Sequence, residues 1–292
     1  MSEIRTMLKS PREMKDLRYW AHTKKVNDML QTETLLDHSK LTIKYYDLYC
    51  KHKQIDKIIK SVIVACGFSG FEVERVYLEF VYAIYLHDFG KINPLYQYEV
   101  LKNNKFHNMR RMASNSNHSL ASAFLYLDFM YTAWPEKPSP SNLKCLAAFA
   151  YCISKHHGTL GDGHDFFELD DFDEQYFMSN IDSDIFKNVS YYLQQKTSNP
   201  IAFYILCRLL FSLIVGCDYS ATQEFMTGSP MEPAIIEDGG RELLITYNQS
   251  GICQCIRKYQ QDPSSFISDP INKLRNELFL EAEQNLLTNP NA

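Results

Sequence analysis

The stretch Tyr85-Leu86-His87-Asp88-Phe89-Gly90-Lys91 sets an imidazole beside a carboxylate at the end of an apolar run. On a helix of about 3.6 residues per turn, adjacent side chains project about 100° apart. His87 and Asp88 could therefore serve one metal ion, or the carboxylate could bridge two. A His-Asp pair alone is common and decides nothing; its meaning depends on what else the chain brings to the same place. Outward from it, helical periodicity recurs over residues 34–51, 55–66, 72–88, 118–131, 141–156, 174–187 and 200–221. Ser141 follows a Pro-Ser-Pro break, and Asn199-Pro200 opens the longest apolar run with proline in its first turn. Gly90, Gly158 and Gly228 fall where helices should stop or shortly after.

Composition agrees with an all-α fold. The 292 residues are 45% apolar and 22% charged, enough for a large core, and only 11 glycines and 11 prolines are present, which disfavours a turn-rich sandwich. Eight scattered cysteines without a CxxC pair indicate neither a disulfide framework nor a zinc ribbon, and suit a reducing cytoplasm. The charged N-terminus lacks the apolar core of a signal peptide, and no later run is expected to reach transmembrane length, so no membrane partner is expected. A net charge of −5 argues against a nonspecific basic grip on duplex DNA. The 18 Phe and 19 Tyr are mainly core material, with some available to stack on unpaired bases. Residues 158–173 read as an exposed acidic loop, residues 243–259 as a small β-hairpin near the C-terminus turning at 248–251, and residues 271–287 as an amphipathic helix before a linker-like end.

Other chemistry-bearing residues share the setting of the His87-Asp88 pair. His38 lies near the start of one helix, His118 begins another, His156-His157 ends a third, and Asp218 closes the long apolar run, so five histidines and two aspartates sit at helix ends. Helix ends can converge on one cleft. Imidazole suits manganese, iron, cobalt, nickel or zinc, and a carboxylate adds charge and can bridge. Two such ions can activate water and polarise a phosphodiester, whereas magnesium prefers oxygen ligands. Each residue also has an ordinary reading: His38 as a surface residue of a helix start, His118 beside its neighbour's cap, and His156-His157 as a cationic helix end. Asp218 is harder to dismiss, because an acid after Leu206-Cys207-Arg208-Leu209-Leu210-Phe211-Ser212-Leu213-Ile214-Val215-Gly216-Cys217 is costly to bury unpaired. Lys91 is placed near a substrate phosphate or leaving group, or else caps helix carbonyls. Thr222, one turn after Asp218, orients a ligand or touches phosphate. His22, His52, His107 and His164 are assigned to the surface.

The order His38, His87-Asp88, His118, His156-His157, Asp218 resembles the HD phosphohydrolase superfamily. More narrowly, it is similar to the N-terminal HD nuclease domain of the CRISPR-associated nuclease-helicase of type I systems. The narrower likeness rests on LLDHSK, on His87-Asp88-Phe89-Gly90-Lys91 continued by Asn93-Pro94-Leu95-Tyr96-Gln97, on NHSLASA, on Lys155-His156-His157-Gly158 and on Asp218-Tyr219-Ser220-Ala221-Thr222. The resemblance implies an HD-domain helical bundle whose helix ends converge on a dinuclear site, holding manganese, iron, cobalt or nickel, with zinc or magnesium supporting less activity. By the same resemblance His38, His87, Asp88 and Asp218 hold one ion and Asp88, His118, His156 and His157 the other. It implies nicking and degradation of single-stranded DNA, with a C-terminal helicase domain and a guide-RNA surveillance complex as partners. Residues 1–33 then form an N-terminal extension packed on the domain, residues 34–228 the nuclease domain, and residues 229–292 a linker toward a helicase. The helicase's Walker-type phosphate loop is not in this sequence. The same skeleton also serves nucleotide and cyclic-dinucleotide phosphohydrolases, and a metal-stabilised adaptor module is a third reading.

Overall fold

The computed structural model describes residues 8–134, 138–161, 191–231 and 248–261, with 245–246, 273, 276–281 and 284 besides. After a short 3₁₀ turn at Glu13–Lys15 the chain forms a hairpin that the sequence reading did not place. Strand β1 (Trp20–Val26) pairs antiparallel with β2 (Met29–Thr34) through a two-residue turn, Asn27-Asp28, whose φ angles are 50° and 63°. Two positive φ values give the mirror-image turn whose twist matches the strands, and Asn and Asp tolerate it.

Helices follow, and their starts are capped by residues the sequence supplies. In α1 (Leu35–Lys53) the Thr34 hydroxyl accepts from the Asp37 amide, so strand β2 passes directly into the helix. Next come α2 (Ile55–Ala65) and α3 (Phe71–Tyr85). Asn117 caps α4 (His118–Ala133) through the Ser119 and Leu120 amides, and Ser139 with Pro140 opens α5 (Pro140–Ser154). Asn199 and Pro200 open α6 (Pro200–Thr227), which ends on Gly228 at φ 75°. The core between them is aromatic and branched: Tyr45, Tyr46, Phe80, Tyr126, Phe149, Ile59 and Ile84 are fully buried, each contributing about 1.5–3 kcal/mol by burial. The bundle is all-α apart from the hairpin.

By length and composition α6 could cross a membrane, against the expectation that no run would. Here it packs along α1, α2, α3 and α5 and buries Leu206, Leu210, Ile214 and Cys217 among them. Packing accounts for only part of its hydrophobicity, because Ile201, Tyr204, Ile205 and Val215 on the same helix are exposed.

The chain separates into two compact units, Met1–Pro233 and Ala234–Ala292. Within the second, the expected C-terminal hairpin is replaced by α7 (Gly251–Gln260). The reason is local: Ser250, read as a turn residue, caps a helix by accepting from the Cys253 amide at 3.1 Å, and Ile252, Ile256 and Tyr259 recur at helical spacing. The expected helix at 174–187 lies outside the described residues, as do residues 162–173 of the acidic loop and much of 271–287.

Candidate metal centre

The helix ends deliver the side chains to one place. His38 sits in the first turn of α1 and is fully buried. The sequence reading carried α3 to Asp88, but the helix ends at Tyr85, and His87-Asp88 leads into a short 3₁₀ stretch, Phe89–Ile92. The His87 ring explains this, because its Nδ1 bonds the Ile84 carbonyl at 2.9 Å, the acceptor that the Asp88 amide would use in a longer helix. At the end of α5, His156 Nδ1 meets the Ile153 carbonyl at 2.6 Å in the same way. In both rings Nδ1 is committed to the backbone, and Nε2 is turned inward.

All the inward atoms meet at Asp88. Its Oδ2 lies 3.3 Å from His38 Nε2 and 3.6 Å from His87 Nε2, while its Oδ1 lies 3.3 Å from His118 Nε2 and 3.6 Å from His156 Nε2. Asp218 Oδ1, on α6, completes the first side at 3.1 Å from His38 and 3.5 Å from His87. His157 completes the second, its Nε2 3.0 Å from that of His118. Within each of the sets His38, His87, Asp88, Asp218 and Asp88, His118, His156, His157, one ligand atom per residue lies within 4.8 Å of the others. Asp88 belongs to both.

Charge is distributed unevenly. Burial pushes the Asp88 carboxyl up, but Lys91, whose Nζ is 2.7 Å from Oδ2, together with His87, His118 and His156, holds it well below the usual range. Burial lowers the Lys91 ammonium, and Asp88 more than restores it. Burial pulls the His38 ring down, yet Asp218, Glu33 and Asp88 hold it up at about 9. Asp218 is held low despite burial, chiefly by His38 and His87. Burial brings His118 down to about 4; in His157, burial and the neighbouring His156 do the same. Both are neutral at neutral pH.

The residues fit a pair of cations. His87 Nε2, His156 Nε2 and Asp88 Oδ1 are buried without a hydrogen bond, an arrangement that native interiors avoid unless something binds there. The donors are five nitrogens and two carboxylates, a set for divalent transition metals.

Three residues near the centre were missed or misplaced by sequence. His22, assigned to the surface, points inward from β1: its Nδ1 is 2.8 Å from Glu33 Oε2 and its Nε2 3.3 Å from Lys91 Nζ. Glu33 is buried on β2, and the Tyr96 ring stands 4.6 Å from that of His118. The signal for the first two was the Asn27-Asp28 turn: counting outward from it pairs His22 with Glu33. His52 and His107 are exposed, and His164 lies outside the described residues. Thr222 donates to Asp218 Oδ1 at 3.3 Å.

Over residues 20–201 the sequence matches the family described as Cas3, HD domain. No curated protein and no solved structure matches the chain. Asp218 and Thr222 lie past the matched stretch and join the centre through the geometry of α6.

Proposed function

We propose that this chain, which belongs to the Cas3 HD domain family, hydrolyses the phosphodiester bonds of single-stranded DNA, nicking internally and then degrading the strand. Membership makes it an HD-type metal-dependent hydrolase, and HD domains bind divalent metals. The single observation that supports the two-ion reading is the division of Asp88, with Oδ2 facing His38 and His87 and Oδ1 facing His118 and His156. Divalent ions held on the two sides supply Lewis acidity toward a phosphodiester and activate water.

The chain's own residues prepare that chemistry. Lys91 and His87 keep Asp88 ionised although it is buried. The backbone carbonyls of Ile84 and Ile153 hold the rings of His87 and His156 with Nε2 inward. Thr222 orients Asp218. Lys91, 2% exposed and bound to the Ala21 carbonyl, acts on a substrate phosphate through its field rather than by an exposed contact.

We further read manganese, iron, cobalt or nickel as the working ions, residues 34–228 as the nuclease domain in a cytoplasmic antiviral system of type I CRISPR, and a C-terminal helicase and a guide-RNA surveillance complex as partners. Purified protein, stripped and then reloaded with each of these metals, should linearise and shorten circular single-stranded DNA. Circles left intact with every metal would sink the nuclease reading; release of phosphate from nucleotides without strand cleavage would replace it with a nucleotide phosphohydrolase.

A further inference from the structure

Two of the inward-facing histidines, His87 and His156, have a backbone carbonyl behind Nδ1. His38 instead has a carboxylate: its Nδ1 lies 3.2 Å from Glu33 Oε2, at ion-pair distance though short of an aligned hydrogen bond. The same oxygen receives His22 Nδ1 at 2.8 Å, so two imidazoles converge on one buried carboxylate. Their rings are 4.6 Å apart and edge to face.

The hairpin builds this arrangement. His22 and Glu33 are cross-strand partners, and an irregularity between Trp20 and His22 leaves Ala21 outside the ladder. The Ala21 carbonyl then accepts from Lys91 Nζ at 3.3 Å, and His22 Nε2 lies 3.3 Å from the same ammonium. Glu33 immediately precedes Thr34, the cap of α1, so one strand-to-helix junction fixes both the carboxylate and the ring it faces. Because His22 donates Nδ1–H to Glu33, its Nε2 is left to accept from Lys91. A continuous path therefore runs from the bridging Asp88 through Lys91, His22 and Glu33 to the far side of His38.

Resting on the reading of Asp88 as a bridge between two ions, we propose that Glu33 is a positioning residue for His38, holding Nδ1 protonated and Nε2 toward Asp88 and Asp218, and that His22 anchors Glu33 in that pose. A carboxylate behind a ligating imidazole fixes its tautomer and raises its basicity, and loss of such a partner weakens metal binding by about 10–100-fold. Glu33 thereby strengthens one ion site and leaves the His118 side untouched.

The test measures binding. Manganese stoichiometry and affinity are followed by equilibrium dialysis with elemental analysis on wild type, Glu33→Ala and His22→Ala, with circular dichroism as the check of fold. Glu33→Ala should weaken one of two ions by about 10–100-fold and leave the other unchanged, with a smaller loss in His22→Ala. Zinc-loaded, ¹⁵N-histidine-labelled protein gives a second readout that survives if the alanine variant fails to fold. In Glu33→Gln the His38 Nδ1–H resonance should move while those of His87 and His156 hold. Two ions bound to Glu33→Ala at wild-type affinity, or an unmoved His38 resonance in Glu33→Gln, overturns the proposal. So do three ions in wild type falling to two in His22→Ala, which would make His22 and Glu33 ligands themselves. Wild type that binds no ion at all would instead defeat the reading of the centre on which the proposal rests.

Discussion

The two sides of the metal centre share Asp88 but are closed in different ways. On one side His38 and His87 are fully buried, a second carboxylate comes from Asp218, and Glu33 stands behind His38. On the other, three imidazoles meet Asp88 alone, and one of them, His157, is exposed. Among the described residues the first side is thus a closed pocket with the larger share of carboxylates, and the second a more exposed one lined mainly by imidazoles. More negative charge at low dielectric holds a cation harder, so on the proposed two-ion reading the closed side is expected to hold its ion more tightly than the open side. Removing Asp88 tests the shared element. Asp88→Ala should lose both ions together and all strand cleavage, as read by metal content and by circular-DNA nicking; one ion retained at full affinity would move the bridge to another residue.

Single-pocket variants should then separate the sides. His157→Ala is expected to bind one ion and His38→Ala to lose the tighter one. Proton competition gives a sharper contrast, because a metal ligand must be deprotonated. With His38 held at about 9, binding on the closed side must expel a proton at neutral pH, so its affinity should rise about tenfold per pH unit from about pH 6 to 8.5. His118 and His157, brought down to about 4, are already neutral, so these two ligands should release no proton over the same window and the open side should show the shallower slope. Calorimetric titration with manganese in buffers of different ionisation enthalpy counts the released protons. Equal pH slopes for both ions would erase the distinction.

A smaller effect is expected from the junction between the pockets. Gly90 follows the bridge by two residues, and its amide donates to Ser122 Oγ at 2.8 Å. A Cβ there would collide with the His118 carbonyl and the Ser122 amide, both backbone atoms of α4 that cannot swing aside. Gly90→Ala should destabilise the fold by about 3 kcal/mol in urea denaturation and displace His118, so that the open-side ion is lost before the closed-side one. An unchanged midpoint with both ions bound would show that α4 does not pack as described.

The same contrast marks what could be read from sequence. Thr34, Asn117, Ser139-Pro140 and Asn199-Pro200 are local signals, and each opens a helix where expected to within a residue or two. His87-Asp88, His118, His156-His157 and Asp218 were legible because they stand at those helix ends. The ends themselves were harder: α3 stops at Tyr85, because the His87 ring takes a backbone acceptor, an event that periodicity does not record. What lies behind His38 was not legible by helical pattern at all. His22 and Glu33 are 11 residues apart, and their contact depends on strand register, which a mostly polar stretch with weak alternation disguises. The C-terminal hairpin failed for the converse reason, since Ser250-Gly251 suits a turn and a helix start equally well.

The smallest expected effect concerns Thr222, for which two roles remain in competition. Its hydroxyl donates to Asp218 Oδ1 at 3.3 Å and lies 3.5 Å from His22 Nε2, so it braces the closed pocket from α6. Thr222→Val keeps the shape and removes that bond. A single hydrogen bond of this kind contributes about 1 kcal/mol, which predicts a closed-side ion held roughly fivefold more weakly, with the open side and the KM for single-stranded DNA unchanged. If metal affinity is instead constant on both sides while KM rises, Thr222 touches phosphate, and the closed pocket then reaches the substrate directly.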